Sequence, residues 1–463
     1  MLQNSKFIKF KYINKMVNRV LLYLILCFAI LNNYTYSQSY QNISLDELVK
    51  IALENNLSIK SKSLDKKYYE AQVDEVIASG LPQINLSTNI DNNLIIPTTL
   101  IPAEIAGGPV GQFVPVQFGT QFNMSATASV DQLLYSHSFW VGLRASKAAT
   151  ELADITTNIS KEQIIYTTSI LYYNINITQK AADNISANIK KLKETVEIMQ
   201  VQEANGLINK IDVKRVKVSI TNLESELNNL KTAVDNLNNN LKVLLNLPTD
   251  TELTLNNNIN EEQILEMVQN DINPYSSRND LLLLNKQTEL YELQKDNISA
   301  GYYPVVNAYG RYSYQAFRQS FDFFDTSKDW FRSAVIGVSI KIPIFDGLTK
   351  MRKSEQTEIK IAQTNYEFQL LKDNVNAEIK NAKTKLKSSL EQFNAQKENV
   401  MIAEEVFAQT ELKYKEGVTP LTELLNSETS LKESQNNYLR ALLQINISKL
   451  ELKKAQGVLL VIN

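Results

Sequence analysis

The strongest constraint on the fold is a stretch from Thr349 to Glu416 that contains neither glycine nor proline. Gly347 and Gly417 bound it, and large apolar residues recur inside it at every seventh position: Ile379, Leu386, Phe393, Val400, Phe407 and Tyr414. A sustained repeat of seven predicts a helix that supercoils against partner helices. At 1.5 Å per residue, this helix would be roughly 100 Å long. An ordinary globular domain needs no such rod, so the chain is expected to bridge something.

A second stretch, residues 143 to 205, also lacks glycine and proline and predicts a second long helix. Apolar residues in it alternate spacings of four and three, as along a helix that packs on another: Ile185, Ile189, Leu192, Val196 and Met199. Either rod taken alone is equally consistent with a structural coiled coil. The segments that flank the rods therefore decide their role.

The first residues predict an export signal. A basic region precedes an apolar run from Val20 to Leu31, and small residues follow it before Gln38. This order is typical of a secretory signal peptide, here residues 1–37, with Met16 as an alternative start. The only cysteine, Cys27, lies inside that run, so the exported chain would hold no disulfide. The remainder carries 43 basic against 50 acidic residues, which argues against nucleic acid as a partner.

Four segments alternate apolar and polar residues, which predicts β-strands with two unlike faces. In the first of them, Ile84, Leu86 and Ile90 alternate with polar residues between Gln83 and Asp91. A long loop joins the members of each pair. The predicted strands are residues 82–91, 121–134, 304–315 and 332–344.

Strands of this kind fit a transmembrane β-barrel, whose outer face meets lipid and whose lumen is wet. The alternative is a half-buried sheet in a soluble sandwich, but four strands are few for a sandwich and no second apolar sheet is available to cover the face. An open sheet would leave unpaired backbone groups in lipid, so a barrel requires several chains. Two copies would supply eight strands and three would supply twelve.

The same order of elements occurs twice, which predicts two structural repeats, residues 38–248 and 261–463, joined by a polar connector at 249–260. Each repeat runs through helix, strand, loop, strand, long helix, glycine turn and returning helix. Ser44 followed by Glu47 predicts a capping box at the start of the first helix. Besides the two rods, the predicted helices are residues 44–79, 209–246, 261–300 and 420–456.

Groups for catalysis are missing from the sequence. The only histidine, His137, falls at a junction between strand and rod, and no cysteine accompanies it in the exported chain. We therefore expect no nucleophile with its base, no metal cluster and no cofactor. No glycine-rich phosphate loop occurs either. The sequence predicts a protein that is not an enzyme.

The doubled order of elements after a signal peptide resembles the TolC-like outer-membrane efflux family. The resemblance covers roughly residues 43 to 458, and its most specific local matches are the two turns at 205–213 and 416–425 and the junction at 343–347. It implies an α+β membrane protein in which three chains form one transmembrane β-barrel, four strands from each, and a long coiled-coil helical barrel. It further implies an outer-membrane channel with its helices in the periplasm, where a periplasmic adaptor and an inner-membrane pump deliver the cargo.

The resemblance also implies roles for particular residues. The helical tips that would contact the adaptor contain Gly206, Leu207, Ile208, Gly417 and Val418. The periplasmic aperture would contain Glu423, Asn426, Thr419 and Asp212. Two acidic positions are expected after the second turn, and only one of them is acidic here, while a threonine replaces the expected basic residue.

Two readings compete at this point. The leading one is a passive outer-membrane channel, and the alternative is an exported coiled-coil scaffold or adhesin without a pore. Only a channel needs apolar residues on the lipid side of all four strands. For Glu423 the alternative to a charged ring is a solvated carboxylate in the first turn of a helix, where the helix dipole favours it.

Overall fold

The computed structural model of the protein describes residues 40–256 and 274–460, and the expected signal peptide lies outside them. These residues fall into two compact units. The first unit takes the chain up to Lys50 and again from Leu171 to the end of the first described range. The second takes Ile51 to Ile170 and everything from residue 274 onward. The units therefore do not follow the division into two sequence repeats.

The first helical region is two helices rather than the predicted single helix at 44–79. They are α1 (Leu45–Asn55) and α2 (Leu57–Ser79). Asn56 separates them, because its side-chain oxygen accepts hydrogen bonds from the backbone N–H groups of Ser58 at 2.9 Å and Ile59 at 3.2 Å. An asparagine that satisfies these otherwise unpaired donors starts a new helix.

The predicted capping box before α1 is confirmed. The backbone N–H of Ser44 donates to the Glu47 carboxylate at 3.0 Å, and the N–H of Glu47 donates to the Ser44 hydroxyl at 3.4 Å. The two residues thereby satisfy each other's backbone donors at the helix start.

The four alternating segments form one antiparallel sheet with the strand order β2-β5-β7-β8. Strands β2 and β8 are its open edges. The strands are β2 (Gln83–Asn92), β5 (Phe122–Tyr135), β7 (Val305–Arg318) and β8 (Phe331–Lys341). β7 extends three residues beyond the predicted strand, whereas β8 ends three residues earlier than predicted.

Two small strand pairs lie where the sequence predicted loop or connector. β3 (Thr98–Pro102) and β4 (Phe113–Gln117) pair inside the loop between β2 and β5, on either side of a short 3₁₀ turn. β1 (Tyr40–Ile43) pairs in parallel with β6 (Leu253–Leu255), which falls in the predicted connector. Whether segments this short form strands depends mainly on the strand they pair with, so their own sequence predicts little.

The two rods are continuous helices. The first is α3 (His137–Ala204), followed by its returning helix α4 (Lys210–Leu244). After one helical turn, α5 (Pro274–Ser277), comes α6 (Asn279–Ala300). The second rod is α7 (Thr349–Lys415), and α8 (Leu421–Ala455) returns from it. His137 begins α3, and its ring lies 4.7 Å from that of Tyr303.

No helix in the described ranges has both the length and the apolar character that crossing a bilayer requires.

The buried stripe of α7 departs from the strict repeat of seven. The half-buried Leu371 continues the first part of it, and the stripe then shifts by four residues at Val375 and again at Phe393. Ile379 and Leu386 are accordingly only half-buried, while Ala382 and Ser389 are buried. Shifts of four unwind a coiled coil locally. The buried residues are Thr357, Thr364, Val375, Ala382, Ser389, Phe393, Val400, Phe407 and Tyr414.

Helices α7 and α8 pack along each other through mixed contacts. The rings of Phe393 and Tyr438 lie 5.8 Å apart, and the buried hydroxyls of Ser389 and Ser448 are 3.0 Å apart. In the other unit, Lys193 of α3 pairs with Glu224 of α4 at 2.7 Å. Each rod is thus tied to its own returning helix.

Candidate functional site: a two-faced sheet and two helical tips

The register of the large sheet aligns its apolar residues across all four strands. Ile84 lies opposite Val130, which pairs with Gly310, which pairs with Ile336. On this face Ile336 is 90% exposed and Leu86 is 75% exposed. Isoleucine and leucine side chains this exposed, in consecutive rows, cost free energy in water, so this face suits an apolar surrounding.

The other face of the same sheet is polar. One row consists of Ser87, Thr127, Ser313 and Ser333 in register, and the hydroxyls of Thr127 and Ser313 lie 2.7 Å apart. Arg311 occupies the neighbouring row, with its guanidinium 5.1 Å from the Tyr309 ring centroid. A sheet that is apolar on one face and hydroxyl-rich on the other separates two media.

The loop from β7 to β8 makes several ion pairs, hydrogen bonds and ring contacts at the end of the sheet. The Arg318 side chain is buried, pairs with Asp322 at 3.3 Å and donates to the Asp329 carbonyl at 2.9 Å. Lys328 pairs with the same aspartate. Trp330 stacks on Tyr314, with ring centroids 5.3 Å apart. An aromatic girdle beside the lipid-facing rows is typical of membrane barrels.

The first helical tip joins α3 to α4. Gly206 adopts a φ of 74°, which lets the Leu207 N–H donate to the Gln202 carbonyl at 2.9 Å and close the helix end. Leu207 is 74% exposed and Ile208 is half-buried. Asp212 follows in the first turn of α4 and pairs within its own helix with Arg215 at 3.5 Å.

The second tip, between α7 and α8, repeats this turn. Gly417 has a φ of 73°, and the Val418 N–H donates to the Lys413 carbonyl at 2.9 Å. Val418 is 71% exposed.

After the second tip, Thr419 is half-buried, while Glu423 and Asn426 are exposed one helical turn apart. These three lie together in one hairpin. Asp212 belongs to the other compact unit and lies at its own tip.

A sequence profile of the outer membrane efflux protein family matches residues 48–247 and 276–458, which is most of the chain. The chain belongs to this family. Outer membrane protein TolC of Vibrio cholerae serotype O1 is 20% identical over 436 residues, covering 92% of this chain and 93% of that protein. Among solved structures, CusC superposes with a TM-score of 0.71 at 16% identity, covering 91% of this chain and 96% of that one. VceC of Vibrio cholerae gives 0.66 at 17% identity, with 89% and 96% covered.

The family confirms the class of fold and of function. The protein is an outer-membrane efflux channel with four transmembrane strands per chain, and its helices lie in the periplasm. The exposed apolar rows of the sheet are the lipid side of this channel. A scaffold or adhesin without a pore, the alternative reading of the sequence, is set aside.

Two adjacent residues of the channel connect the start of α6 to both rods. Arg278 pairs with Glu378 of α7 at 2.6 Å and with Asp280 at 2.7 Å. Its neighbour Asn279 donates to the Glu162 carboxylate of α3 at 2.8 Å. Burial raises the pKa of Glu162, and the hydrogen bond from Asn279 offsets only part of that rise. The carboxylate on α7 has a cationic partner, whereas the one on α3 has a neutral partner.

Within the described ranges, no group of His, Cys, Asp and Glu side chains is arranged to hold a metal ion.

Besides the helix break at Asn56 and the β1–β6 pair, sequence reasoning missed the Arg278 and Asn279 contacts, the β3–β4 pair, and a basic groove on α4 that contains Lys214 and Lys217. Contacts between residues about a hundred positions apart leave no pattern in a single sequence. The groove had a signal, because several lysines and an arginine follow the first turn closely.

Proposed function

We propose that the channel works as a homotrimer whose three sheets close into one barrel of twelve strands. The observation that carries this proposal is the four-stranded sheet with apolar rows on one face and two open edges, β2 and β8. Unpaired edges are not tolerated in lipid, so β8 of one copy is expected to pair with β2 of the next.

In this arrangement the polar faces line a wet lumen, and the long helices continue it through the periplasm. The channel is then a passive conduit without cofactor or catalytic group. An inner-membrane transporter selects the cargo, and a periplasmic adaptor carries it to the helical tips at Gly206, Leu207, Ile208, Gly417 and Val418. The exposure of Leu207 and Val418 supports these tips as contact surfaces.

For the periplasmic aperture we propose Glu423 as the charged ring, with Asn426 as its neutral neighbour. The exposure of both side chains supports this assignment. Thr419 stands where a basic residue would otherwise form an ionic contact across the aperture, and Asp212 is already paired with Arg215. We therefore expect fewer ionic contacts to hold the aperture closed.

We further propose that residues 38–248 and 261–463 are two copies of one unit, with 249–260 between them and residues 1–37 as the leader. The repeated order of strand, strand, rod and returning helix supports this division.

Cysteine crosslinking between the sheet edges tests the trimer. Because the only cysteine lies in the leader, introduced cysteines are unique in the exported chain. Asn85→Cys on β2 is combined in turn with Ser333→Cys, Val335→Cys and Ser339→Cys on β8. Oxidation in outer membranes should give a trimer band for at least one pair, and that band should vanish on reduction.

Leu86→Cys with Ser339→Cys serves as the matched control, since these side chains point to opposite faces and should not crosslink. Unheated samples of the wild type should also run as a trimer that heating dissociates. A freely soluble chain, or dimers as the largest product of every pair, would contradict the proposal.

A further inference from the structure

The lipid-facing side of β8 ends in an exposed cation. Every second residue of the strand lies on this side, and in order toward residue 331 they are Ile340, Val338, Ile336, Ala334 and Arg332. Ile336 and Val338 are 90% and 61% exposed, and Arg332 is exposed as well. Because the other end of β8 continues into rod α7, which lies in the periplasm, Arg332 lies at the outer end of the barrel.

The position of Arg332 along the strand matches the level of the outer lipid headgroups. Ile342, the first residue after β8, is 61% exposed and lies ten residues from Arg332. Ten residues span about 34 Å along a strand, and a strand tilt of about 40° reduces this to roughly 26 Å across the membrane. The apolar band of an outer-membrane barrel is about 25 Å tall. Arg332 therefore lies at the rim of this band, where the headgroups begin.

Two aromatic side chains flank the guanidinium of Arg332 at this rim. The guanidinium lies 5.4 Å from the ring centroid of Tyr314, the residue opposite it on β7. Trp330 stacks on the same ring, with the two ring planes inclined by 11°. Tryptophan and tyrosine are enriched at membrane interfaces, because one end of each side chain is apolar and the other is polar. The arginine is thus surrounded by side chains that suit the boundary between acyl chains and headgroups.

No carboxylate compensates the charge of Arg332. Within residues 40–256 and 274–460 it makes no ion pair, whereas Arg318 at the same end of the sheet is buried and pairs with Asp322 at 3.3 Å. In the proposed trimer, β2 of the next chain adds no acid to this side, because its only charged residue, Asp91, faces the lumen. The charge of Arg332 therefore lacks a counterion on the lipid side of the barrel.

We propose that Arg332, together with Tyr314 and Trp330, binds the phosphate group of an anionic lipid in the outer leaflet. A guanidinium fits phosphate because two parallel N–H groups donate to two of its oxygens. The acyl chains of the same lipid would lie along Ala334 and Ile336, so one ligand meets both the charge and the apolar rows. A free phosphate ion shares the chemistry of the headgroup but makes no use of these rows.

Quenching of Trp330 fluorescence by brominated lipids tests the proposal at the site itself. The chain contains two tryptophans, so Trp140→Phe leaves Trp330 as the only one. The assembled channel is reconstituted in phosphatidylcholine vesicles that contain either brominated phosphatidic acid or brominated phosphatidylcholine, whose choline offsets the phosphate charge. The quenching should show phosphatidic acid binding beside Trp330 about fivefold more tightly than phosphatidylcholine.

Substitutions of Arg332 should remove this preference, and a second arginine supplies the matched control. Arg332→Gln should abolish the preference, while Arg332→Lys should retain part of it, since lysine keeps the charge but lacks the paired donors. Arg311 also lies beside a tyrosine, 5.1 Å from the Tyr309 ring, but it faces the lumen. Arg311→Gln should therefore leave the preference unchanged. Each variant is compared only as a heat-modifiable oligomer, so a lost preference is distinguished from a lost barrel.

Equal quenching by the two lipids with Arg332 in place, or an unchanged preference in Arg332→Gln, would overturn the proposal and leave Arg332 as a solvated residue at the rim. An equal loss in Arg332→Gln and Arg311→Gln would overturn it as well. Sodium phosphate in excess over the lipid should leave the preference in place. If phosphate removed the preference while sodium chloride of the same ionic strength did not, the ligand would be free phosphate and the lipid assignment would be wrong.

Discussion

The two helical hairpins of the channel turn in the same way but carry opposite charge at the start of their returning helices. Gly206 and Gly417 have φ values of 74° and 73°, and both helices before them end with the same pair of backbone hydrogen bonds. After the first glycine come Lys210, Lys214 and Lys217 without ion pairs among the described residues. After the second comes the exposed carboxylate of Glu423.

The comparison separates what the backbone requires from what the surface does. A helix that ends in this motif needs a residue tolerant of positive φ, and glycine meets that need at both tips. The side chains that follow are not constrained by the turn. Function at the tips is therefore expected to depend on their charge, while stability depends on the glycine.

The largest effect is expected in the strands, where both halves of the chain place apolar side chains on the lipid face. Leu86→Arg in β2 and Ile336→Arg in β8 should each impair assembly, because an arginine at the midplane costs about 2–4 kcal/mol. Heat-modifiable trimer in isolated outer membranes is the measurement. The matched controls, Asn85→Arg and Ser339→Arg, face the lumen and should assemble better.

If only one of the two lipid-facing arginine variants impaired assembly, β2 and β8 would not be equivalent in their exposure to lipid. Equal yields for all four variants would mean that the sheet does not meet lipid as assigned.

Valine at either tip glycine should give the next largest effect. A Cβ at Gly206 or Gly417 would meet no atom within 4 Å, so the cost is backbone strain alone, about 1–2 kcal/mol. Gly206→Val and Gly417→Val should leave trimers intact, lower the resistance of the hairpin to proteolysis and reduce export.

Asparagine tolerates positive φ, so Gly206→Asn and Gly417→Asn are the matched controls and should be milder. If adaptor crosslinking and export both survive Gly417→Val, the second tip is an ordinary turn. If only one tip responds, the two hairpins differ in their backbone as well as in their charge.

The carboxylates of the two tips should respond differently to neutralisation. Three copies of Glu423 around one axis would hold a trivalent cation, and Glu423→Gln should relieve the block that this cation causes in planar-bilayer conductance. Asp212→Asn should relieve it less, because Asp212 is already paired with Arg215. An unchanged block in Glu423→Gln, or none in the wild type, would leave Glu423 as a helix-start charge only.

The smallest effect on stability is expected at two carboxylates of the rods, Glu378 beside Arg278 and Glu162 beside Asn279. Glu378→Gln removes an ion pair with Arg278 and should destabilise the channel by at most about 1 kcal/mol, since Glu378 is half-exposed. Glu162→Gln should have the opposite sign, because it keeps an acceptor for Asn279 and removes a half-buried charge.

The sign follows from the raised pKa of Glu162. The folded state retains the Glu162 proton more readily than the unfolded state does. The stability that this protonated carboxyl contributes to folding is therefore lost as the pH rises through the folded pKa. The variant and wild type should melt together below about pH 4, and the variant should melt higher at pH 7. If the difference in melting temperature between the variant and the wild type became smaller toward neutral pH, the raised pKa of Glu162 would be contradicted.

Regular periodicity made much of this fold predictable from sequence. The alternation of Ile84, Leu86 and Ile90 with polar residues predicted a strand whose faces the register confirms. Absence of glycine and proline from the rods predicted long helices, and Gly206 and Gly417 predicted where the chain turns. These signals are local, because each one depends only on residues that are close together in the sequence.

The rest depends on partners that a single sequence does not reveal. The break at Asn56 was missed because the apolar side of α1 and α2 reads as one helix, while the cap depends on one amide. The β1–β6 pair joins residues more than two hundred positions apart. The glycines of the two tips predicted the turns, whereas the contacts of Arg278 with Glu378 and of Asn279 with Glu162 join residues a hundred or more positions apart.

The shifted stripe of α7 has a consequence for how long the rod can be. Its buried residues recur, on average, at about 3.6 per turn, so the stripe runs nearly straight along one side of the helix. Between Ala382 and Val400 the steps of seven, four and seven complete about five whole turns. Cutting such a block from α7, with an equal length of the facing α8, would shorten the hairpin by about 27 Å and keep each remaining side chain on its present side. The length of this hairpin is thus adjustable in whole blocks of about 18 residues, and the turn at its tip needs no change.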